Sequence, residues 1–251
     1  MLVASSVAMN FSDDTPPSIK EQFEKKMLSD EEMQAILGDI QIEPPGADAP
    51  SSPLLPKLPV SIGNPYPALA QELFGMFLAS LGLDTEDEHL KDTPRRVVDL
   101  YMDRLIPDHK EFAFTTFEPG QSSDQMVSVN RIPFTSFCAH HLLPFTGLAH
   151  ISYIPNGKMG GLSKFARTVH YFANQPQVQE RLTFEVAGAL EALLEPRGVA
   201  VTIDARHSCM ELRGPQAVGS VTRTTVLRGA FKENPETRAE YFAQVPQEMQ
   251  T

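Results

Sequence analysis

The chain of 251 residues has no tryptophan, only two cysteines and a shortage of basic residues. Its 21 lysines and arginines stand against 32 acidic residues, a formal net charge of −11, whereas a protein that binds nucleic acid through its phosphates needs a basic surface. Two cysteines are too few for the disulfide framework of a small secreted protein. We therefore expect no general nucleic-acid binding and a reducing compartment, in which each thiol is a candidate ligand or nucleophile.

The sequence also lacks a long apolar run. No stretch approaches the roughly 18 apolar residues that a membrane span requires. The opening MLVASSVAM contains no lysine or arginine and is soon followed by Asp13 and Asp14, whereas a signal peptide has a basic start and a longer apolar core. We therefore expect no contact with a membrane and predict a cytoplasmic protein.

Residues 1–62 are predicted to form an acidic, proline-rich tail. The first 60 residues hold ten acidic side chains, four lysines and eight of the 21 prolines. Such a segment buries too little apolar surface to offset its chain entropy, so we expect most of it to be disordered. A short partner-binding helix over 18–38 is the alternative, since Ile19, Phe23 and Met27 recur at four-residue spacing. Residues 63–247 are predicted to form one globular domain.

The globular domain mixes helical and strand periods. Apolar residues at helical spacing predict a first helix after Tyr66, and Asp92-Thr93-Pro94 is a typical start for a second. The remaining elements are strands at 126–132, 147–155, 198–207 and 220–231 and helices at 162–173 and 178–195. This order predicts an α+β fold, with N-terminal helices and an antiparallel sheet that carries helices on one face.

Both cysteines and three of the seven histidines fall in two short segments, 137–141 and 207–209. Thiolate and imidazole are ligands that Zn²⁺ prefers, and a catalytic zinc keeps three protein ligands and one open position. Cys138, His141 and Cys209 would supply such a set, and there is no third cysteine to close a structural site. The predicted cofactor is therefore Zn²⁺ with a bound water.

Other interpretations of the same residues stay open. Cys138 and Cys209 could be buried apolar thiols, a disulfide, or parts of a cysteine–histidine nucleophile, although the last leaves the second cysteine without a role. A zinc deaminase would need His-x-Glu and Pro-Cys-x-x-Cys, which are absent. If zinc is bound, His140 and His207 remain beside it, and imidazole titrates near neutral pH, as general acid–base catalysis requires.

A second group of polar residues lies between these segments. Lys164 and Arg167 are about one helical turn apart and share a face, and together with Arg213 they could form a basic pocket for a polyphosphate. Glu180, near a predicted helix start, could be a partner of the helix dipole or a carboxylate that reads the N–H groups of guanine. The spacing alone does not choose between these two roles.

An ordered series of motifs extends over roughly residues 66–245, and through it the chain resembles the GTP cyclohydrolase I family. The motifs are DTPRRV (92–97), CAHHLLPF (138–145), YIPNGK (153–158), GLSK (161–164), QVQERLT (177–183), PRGVAV (196–201) and HSCMELRG (207–214). The resemblance implies a tunnelling fold, in which subunit sheets join side by side into a barrel. It also implies a homo-oligomer, usually a decamer of two pentamers, with sites at subunit interfaces.

The resemblance assigns roles to individual residues. Cys138, His141 and Cys209 are similar to the zinc ligands of the family, and His140 and His207 to its catalytic histidines. Positions that hold ribose and triphosphate correspond to Ser163, Lys164, Arg167 and Arg213, those that read guanine to Gln179 and Glu180, and one that reaches a neighbouring subunit's site to Arg96.

The reaction implied by the resemblance is hydrolysis of GTP. A zinc-activated water attacks C8 of the purine while His207 protonates N7, formate is released, and rearrangement of the ribose gives 7,8-dihydroneopterin triphosphate. This is the first step of tetrahydrofolate and pterin biosynthesis.

The chain departs from the family pattern at four places. Ala139 stands where glutamate is usual, Asn174-Gln175-Pro176 replaces a basic pair, residues 215–219 replace a polar and basic run, and Asp99 stands where lysine is common. These changes remove or reverse charge around the expected triphosphate region. They favour, as alternatives, a weakened or non-catalytic paralogue that binds purine nucleotide or regulates an active relative, or an enzyme of this fold with an altered substrate.

Overall fold

The structure, a computed structural model, describes residues 67–106, 114–118 and 125–246. The predicted tail and its helix over 18–38 lie outside these ranges. The described chain divides into two compact units, residues 67–102 and a larger unit from residue 103 onward. In these ranges no helix combines the length and the apolar character that crossing a membrane would need.

The smaller unit consists of helix α1 (Pro67–Ser80) and most of helix α2 (Thr93–Leu105). Helix α2 begins within the predicted Asp92-Thr93-Pro94 signal, because proline fits the first turn, where its missing N–H is not needed. The predicted apolar side of α1 is not a buried face, since Leu73 and Phe77 are 55% and 52% exposed. Leu78 is the side chain that α1 buries.

The larger unit is built on a five-stranded sheet. Its strands are β2 (Val127–Cys138), β3 (Pro144–Ile154), β5 (Pro176–Gln177), β6 (Gly198–His207) and β7 (Thr222–Gly229), and a separate pair is formed by β1 (Thr116–Phe117) and β4 (Met159–Gly160). The sheet order is β5-β2-β3-β6-β7. All its pairs are antiparallel except β5 with β2, which is parallel. The predicted α+β fold with an antiparallel sheet is thereby confirmed, with one short parallel strand added.

Two long helices cover one face of this sheet. They are α3 (Leu162–Ala173) and α4 (Gln179–Leu194), both within a residue of their predicted bounds. Buried side chains from both helices, among them Phe165 and Leu190, pack with alternate strand residues such as Val201 and Ile203. Because successive side chains of a strand point to opposite faces, this core takes only one face of β6.

The other face of the sheet is covered as well, so the prediction of helices on one face only is wrong. After β6 come the short helices α5 (Ser208–Glu211) and α6 (Ala230–Glu233) and the C-terminal helix α7 (Pro235–Gln244). Phe231 and Tyr241 pack with Ala200 of β6, and the Tyr241 hydroxyl donates to Thr202 Oγ1 at 2.6 Å. The physical reason is that residues 198–205 are buried at every position, so both faces of β6 need a cover.

Strand β2 is longer than predicted. The predicted strand ends at Ile132, directly before Pro133, which cannot donate a ladder hydrogen bond. Pro133 pairs with Leu148 of β3, while β5 reaches β2 only at Phe137 and Cys138. Within the described chain Pro133 therefore lies on an edge, where its missing N–H costs nothing, and the strand continues to Cys138.

A buried polar cluster lies on the face covered by α7. Asp204, on β6, accepts two hydrogen bonds from the Arg223 guanidinium at 2.6 and 2.7 Å. His150, only 1% exposed, lies with its Nε2 3.9 Å from an Asp204 oxygen, and its Nδ1 accepts from the main-chain N–H of Arg131 at 3.3 Å. Burial lowers the pKa of His150 below its usual value; Asp204 opposes this effect, and Arg223 and Arg131 add to it.

We expect His150 to make the protein less stable in mild acid. The unfolded chain takes up a proton on this imidazole below about pH 6.5, whereas the folded protein resists it, so stability falls as pH drops through that value. The loss attributable to this group is at most about 1.4 kcal/mol per pH unit. Urea unfolding of the wild type and of His150→Gln, at about pH 7.5 and 5.5, measures it. The variant should lose less stability between the two pH values, and equal losses would contradict the assignment.

Candidate active site and metal centre

The two chemical segments meet at one end of the sheet. Strand β2 ends at Cys138, and β6 ends at His207, directly before the helix that carries Cys209. Both strands are antiparallel to β3, which lies between them, so their C-terminal ends lie at the same edge of the sheet. The topology thereby brings together residues that are far apart in sequence.

Cys138, His141 and Cys209 form a compact set of candidate metal ligands. Their ligand atoms all lie within 4.8 Å of one another, and Cys138 Sγ is 3.9 Å from His141 Nδ1. The ligand atoms of a tetrahedral zinc site lie about 3.3–3.8 Å apart, given its bond lengths. The donor set therefore fits zinc in its chemistry and, with a small contraction, in its spacing.

A tight turn presents His141 to the cysteines. The main-chain N–H groups of His141 and Leu142 donate to the Cys138 carbonyl at 3.3 and 2.8 Å, and Leu142 adopts φ 51°. The same turn carries His140, whose Nδ1 is 3.7 Å from Cys138 Sγ. His140 thus lies beside the ligand set, as the sequence predicted.

Burial makes the thiol of Cys209 a weak acid in the free protein. Its pKa is raised first by burial and then by the adjacent Cys138 sulfur, while Arg213 has the opposite effect. A divalent cation at this position stabilises thiolates and reverses that shift. We therefore expect metal binding to release a proton and to weaken in acid.

His207 is held firmly next to the ligand set. Its ring stacks on Phe145 with 4.6 Å between ring centroids and 7° between planes, as the pairing of these residues in β3 and β6 dictates. Its Nε2 lies 2.7 Å from Gln179 Oε1. Burial lowers the pKa of His207, and the Glu180 carboxylate partly opposes this.

Glu180 and Arg213 complete this end of the sheet. Glu180 is exposed in the first turn of α4, close enough for its charge to act on His207. Arg213 Nη1 donates to His141 Nε2 at 2.8 Å. The structure therefore places a carboxylate and a guanidinium, the two types predicted to bind base and phosphate, beside the ligand set and His207.

Ser163, Lys164 and Arg167 do not join this group. They lie in the first half of α3, whose Phe165 stacks on Tyr153 at 5.3 Å. Tyr153 is eight residues along β3 from Phe145, a distance of about 27 Å at strand geometry. Within one subunit these three residues therefore lie near the opposite end of the sheet from His207.

The other expected residues have local roles in the structure. Arg96 lies on α2 in the smaller unit and pairs with Asp92 at 3.3 Å, and Asp99 pairs with Arg95 at 3.0 Å. Gln175, at the position of the missing basic pair, is buried against the Phe172 carbonyl and Glu185.

Several supporting residues could not be predicted from the sequence. Phe145 stacks on His207, and the hydroxyl groups of Thr183 and Thr224 lie 2.6 Å apart next to Gln179. Phe145 stands within a recognised motif, but only the register of β3 against β6 places it on His207. The threonines carry no local signal of their own.

Comparison with known proteins identifies the family that the chain resembles. The family model described as GTP cyclohydrolase I matches residues 70–246. The chain is similar to the GTP cyclohydrolase 1 of Hydrogenobaculum sp. (45% identity, 68% of this chain and 93% of the relative), of Aquifex aeolicus (47%, 66% and 90%) and of Vibrio cholerae (48%, 64% and 76%).

The ligand set predicts different results for two neighbouring substitutions. Cys209→Ala removes one of three ligands and should lower the zinc content of the purified protein to below about a tenth of the wild-type value. His207→Ala removes a side chain outside the ligand set and should leave zinc near one ion per subunit. Elemental analysis after dialysis measures both. Zinc near one ion per subunit in Cys209→Ala would show that Cys209 is not a ligand.

Proposed function

We propose a zinc-dependent GTP cyclohydrolase activity for this chain, which belongs to the GTP cyclohydrolase I family. The reaction opens the purine of GTP at C8, releases formate and forms 7,8-dihydroneopterin triphosphate. The observation that carries the proposal is the convergence of Cys138, His141 and Cys209 next to His207 at one end of the sheet. Hydrolysis at a ring carbon needs an activated water and a group that moves protons, and this arrangement offers places for both.

Cys138, His141 and Cys209 would hold the zinc ion. Three protein ligands leave one position open, as in catalytic rather than structural zinc sites. Bound there, zinc supplies Lewis-acid activation of water near neutral pH. Thiolate ligands also favour a reducing compartment, which agrees with the predicted cytoplasmic location.

The two remaining histidines would move protons. Burial lowers the pKa of His207 and so favours its neutral form, and its ring is held by Phe145 and Gln179. We assign to it the proton exchange with N7 of the purine. His140, on the turn that carries His141, has its Nδ1 3.7 Å from Cys138 Sγ and is the candidate for a second proton transfer during ring opening.

Glu180 and Arg213 would bind the two ends of the nucleotide. An exposed carboxylate at the first turn of α4 can accept the adjacent N–H groups of guanine. Arg213 contacts His141 of the ligand set. Its planar guanidinium can donate two parallel hydrogen bonds to a phosphate group. Fixing both base and tail brings C8 to the metal in one orientation.

The remaining phosphate-binding candidates imply a site shared between copies of the chain. Ser163, Lys164 and Arg167 lie near the end of the sheet that is far from His207, so a second copy would have to supply them. Within the described chain β7 is an edge strand with a neighbour on one side only, and such edges are natural sites for pairing. We therefore propose a homo-oligomer, a decamer by resemblance, with active sites between subunits and Arg96 reaching a neighbouring site.

Direct turnover tests the proposed activity. Zinc-loaded protein incubated with GTP should release formate and, after oxidation, give a fluorescent neopterin product in equal amount. His207→Ala should retain zinc and lose ring opening. Zinc-replete wild type that binds GTP without releasing formate would overturn the proposal and favour a non-catalytic nucleotide-binding paralogue. Turnover of another purine nucleotide in preference to GTP would indicate an altered substrate.

Complementation tests the shared site. His207→Ala and the double variant Lys164→Ala/Arg167→Ala damage opposite ends of the sheet, so each alone should be nearly inactive. In oligomers formed by co-expression, roughly a quarter of shared sites combine two undamaged halves, and activity should return to about that fraction. Co-expressed protein no more active than its parents would place each site within one subunit. Co-expression of His207→Ala with Cys209→Ala, which damage the same half, is the control and should restore nothing.

A further inference from the structure

The side-chain amide of Gln179 is committed to contacts inside the protein. Gln179 is 2% exposed, and its Nε2 donates to the main-chain oxygens of Ile203 at 3.0 Å and Thr222 at 2.9 Å. Carbonyl oxygens can only accept hydrogen bonds. The NH₂ end of the amide must therefore face these two carbonyls, and Oε1 is the atom that faces His207.

Two threonines stabilise the same orientation. The Thr183 hydroxyl donates to the Gln179 main-chain oxygen at 2.8 Å, so in its contact with Thr224 at 2.6 Å it must accept. Thr224 then donates to Thr183 and keeps its oxygen free to accept from Gln179 Nε2 at 3.2 Å. Each threonine hydroxyl hydrogen thus has one place, and the two hydrogens of Gln179 Nε2 face three acceptors, so one of them is shared.

The orientation of the amide determines the tautomer of His207. Gln179 Oε1 can only accept, and it lies 2.7 Å from His207 Nε2, so a neutral ring carries its hydrogen on Nε2. Stacking on Phe145 keeps the ring in this plane. Nδ1 is the ring nitrogen that keeps a free lone pair.

We propose that Gln179 is a positioning residue, which holds the catalytic ring of His207 with hydrogen on Nε2 so that Nδ1 exchanges the proton with the substrate. In the forward transfer the neutral ring first takes up a proton from water at Nδ1, and this proton then passes to N7 of the purine, which returns the ring to the neutral form with Nε2–H still bonded to Gln179. This inference rests on the proposed function. It replaces the guanine-reading role that the resemblance assigned to Gln179 and leaves base recognition to Glu180.

Kinetics separate the two roles of Gln179. Gln179→Met keeps the length of the side chain and removes its hydrogen bonds, so kcat should fall about 10–100-fold, a common result when the outer partner of a functional histidine is lost. The KM for GTP should change by less than about threefold, because no contact with the base is lost. A raised KM at unchanged kcat in Gln179→Met would overturn the proposal and restore the guanine reader.

Gln177 offers a matched control for these variants. It is as buried as Gln179, and its Nε2 donates to the Phe172 carbonyl at 2.9 Å and to Glu185 at 2.7 Å, away from His207. Gln177→Met therefore removes a similar buried amide. It should lower the melting temperature to a similar degree while kcat per bound zinc stays within about threefold of wild type. A kcat loss equal to that of Gln179→Met would show that the effect is general destabilisation.

A spectroscopic test does not depend on turnover. In protein labelled with ¹⁵N-histidine, the His207 signal is the one lost in His207→Asn, and its coupled hydrogen should be on Nε2. In Gln179→Met the two neutral tautomers should mix. A wild-type ring with hydrogen on Nδ1, or a tautomer unchanged in Gln179→Met, would overturn the inference. Because the spectrum needs no GTP, this outcome is independent of whether the proposed function holds.

Discussion

The antiparallel register of β3 against β6 is the constraint on which the site depends. It sets Phe145 opposite His207, and it turns β6 so that its C-terminal end meets that of β2. The ligands therefore converge through backbone pairing and not through a long loop. Strands β3 and β6 also approach each other closely at Gly147. A methyl group there would lie 2.0 Å from the Asp204 carbonyl oxygen, so a larger residue would push the strands apart.

The same sheet that gathers the metal ligands keeps the phosphate-binding candidates away from them. Helix α3 starts near Tyr153 and runs back toward the end of the sheet at which β2 ends. There the Ser136 hydroxyl donates to the Ala173 carbonyl at 2.7 Å. Its first half, with Lys164, is therefore distant from His207 by about the length of β3. In the proposed shared site a second copy of the chain would have to supply Lys164, because the length of the sheet separates it from His207 within one subunit.

Helices and strands with a complete local sequence pattern were predictable. Helices at 162–173 and 178–195 and the strand at 198–207 agree with the structure because their apolar periods are complete and Gly and Pro stand at their ends. The strand predicted over 126–132 ends before Pro133, whereas β2 continues to Cys138, since a sequence does not show whether a strand lies at an edge. Helix α7, which covers the second face of β6, was not predicted because most of its residues are polar. Its Tyr241 reaches Thr202 through a single hydrogen bond between residues that are far apart in the sequence, and no local pattern indicates such a contact.

For the site, the sequence by itself determined which atoms can do the chemistry: two thiols, imidazoles, a carboxylate and guanidinium groups, in motifs that name the family. Residue type decides ligand and proton chemistry, and residue type is local information. Only the tertiary structure decided how the groups are used. It joined Gln179 to His207 and separated both from Lys164, because hydrogen-bond partners and distances follow from strand register and helix packing, which connect residues that no local pattern links.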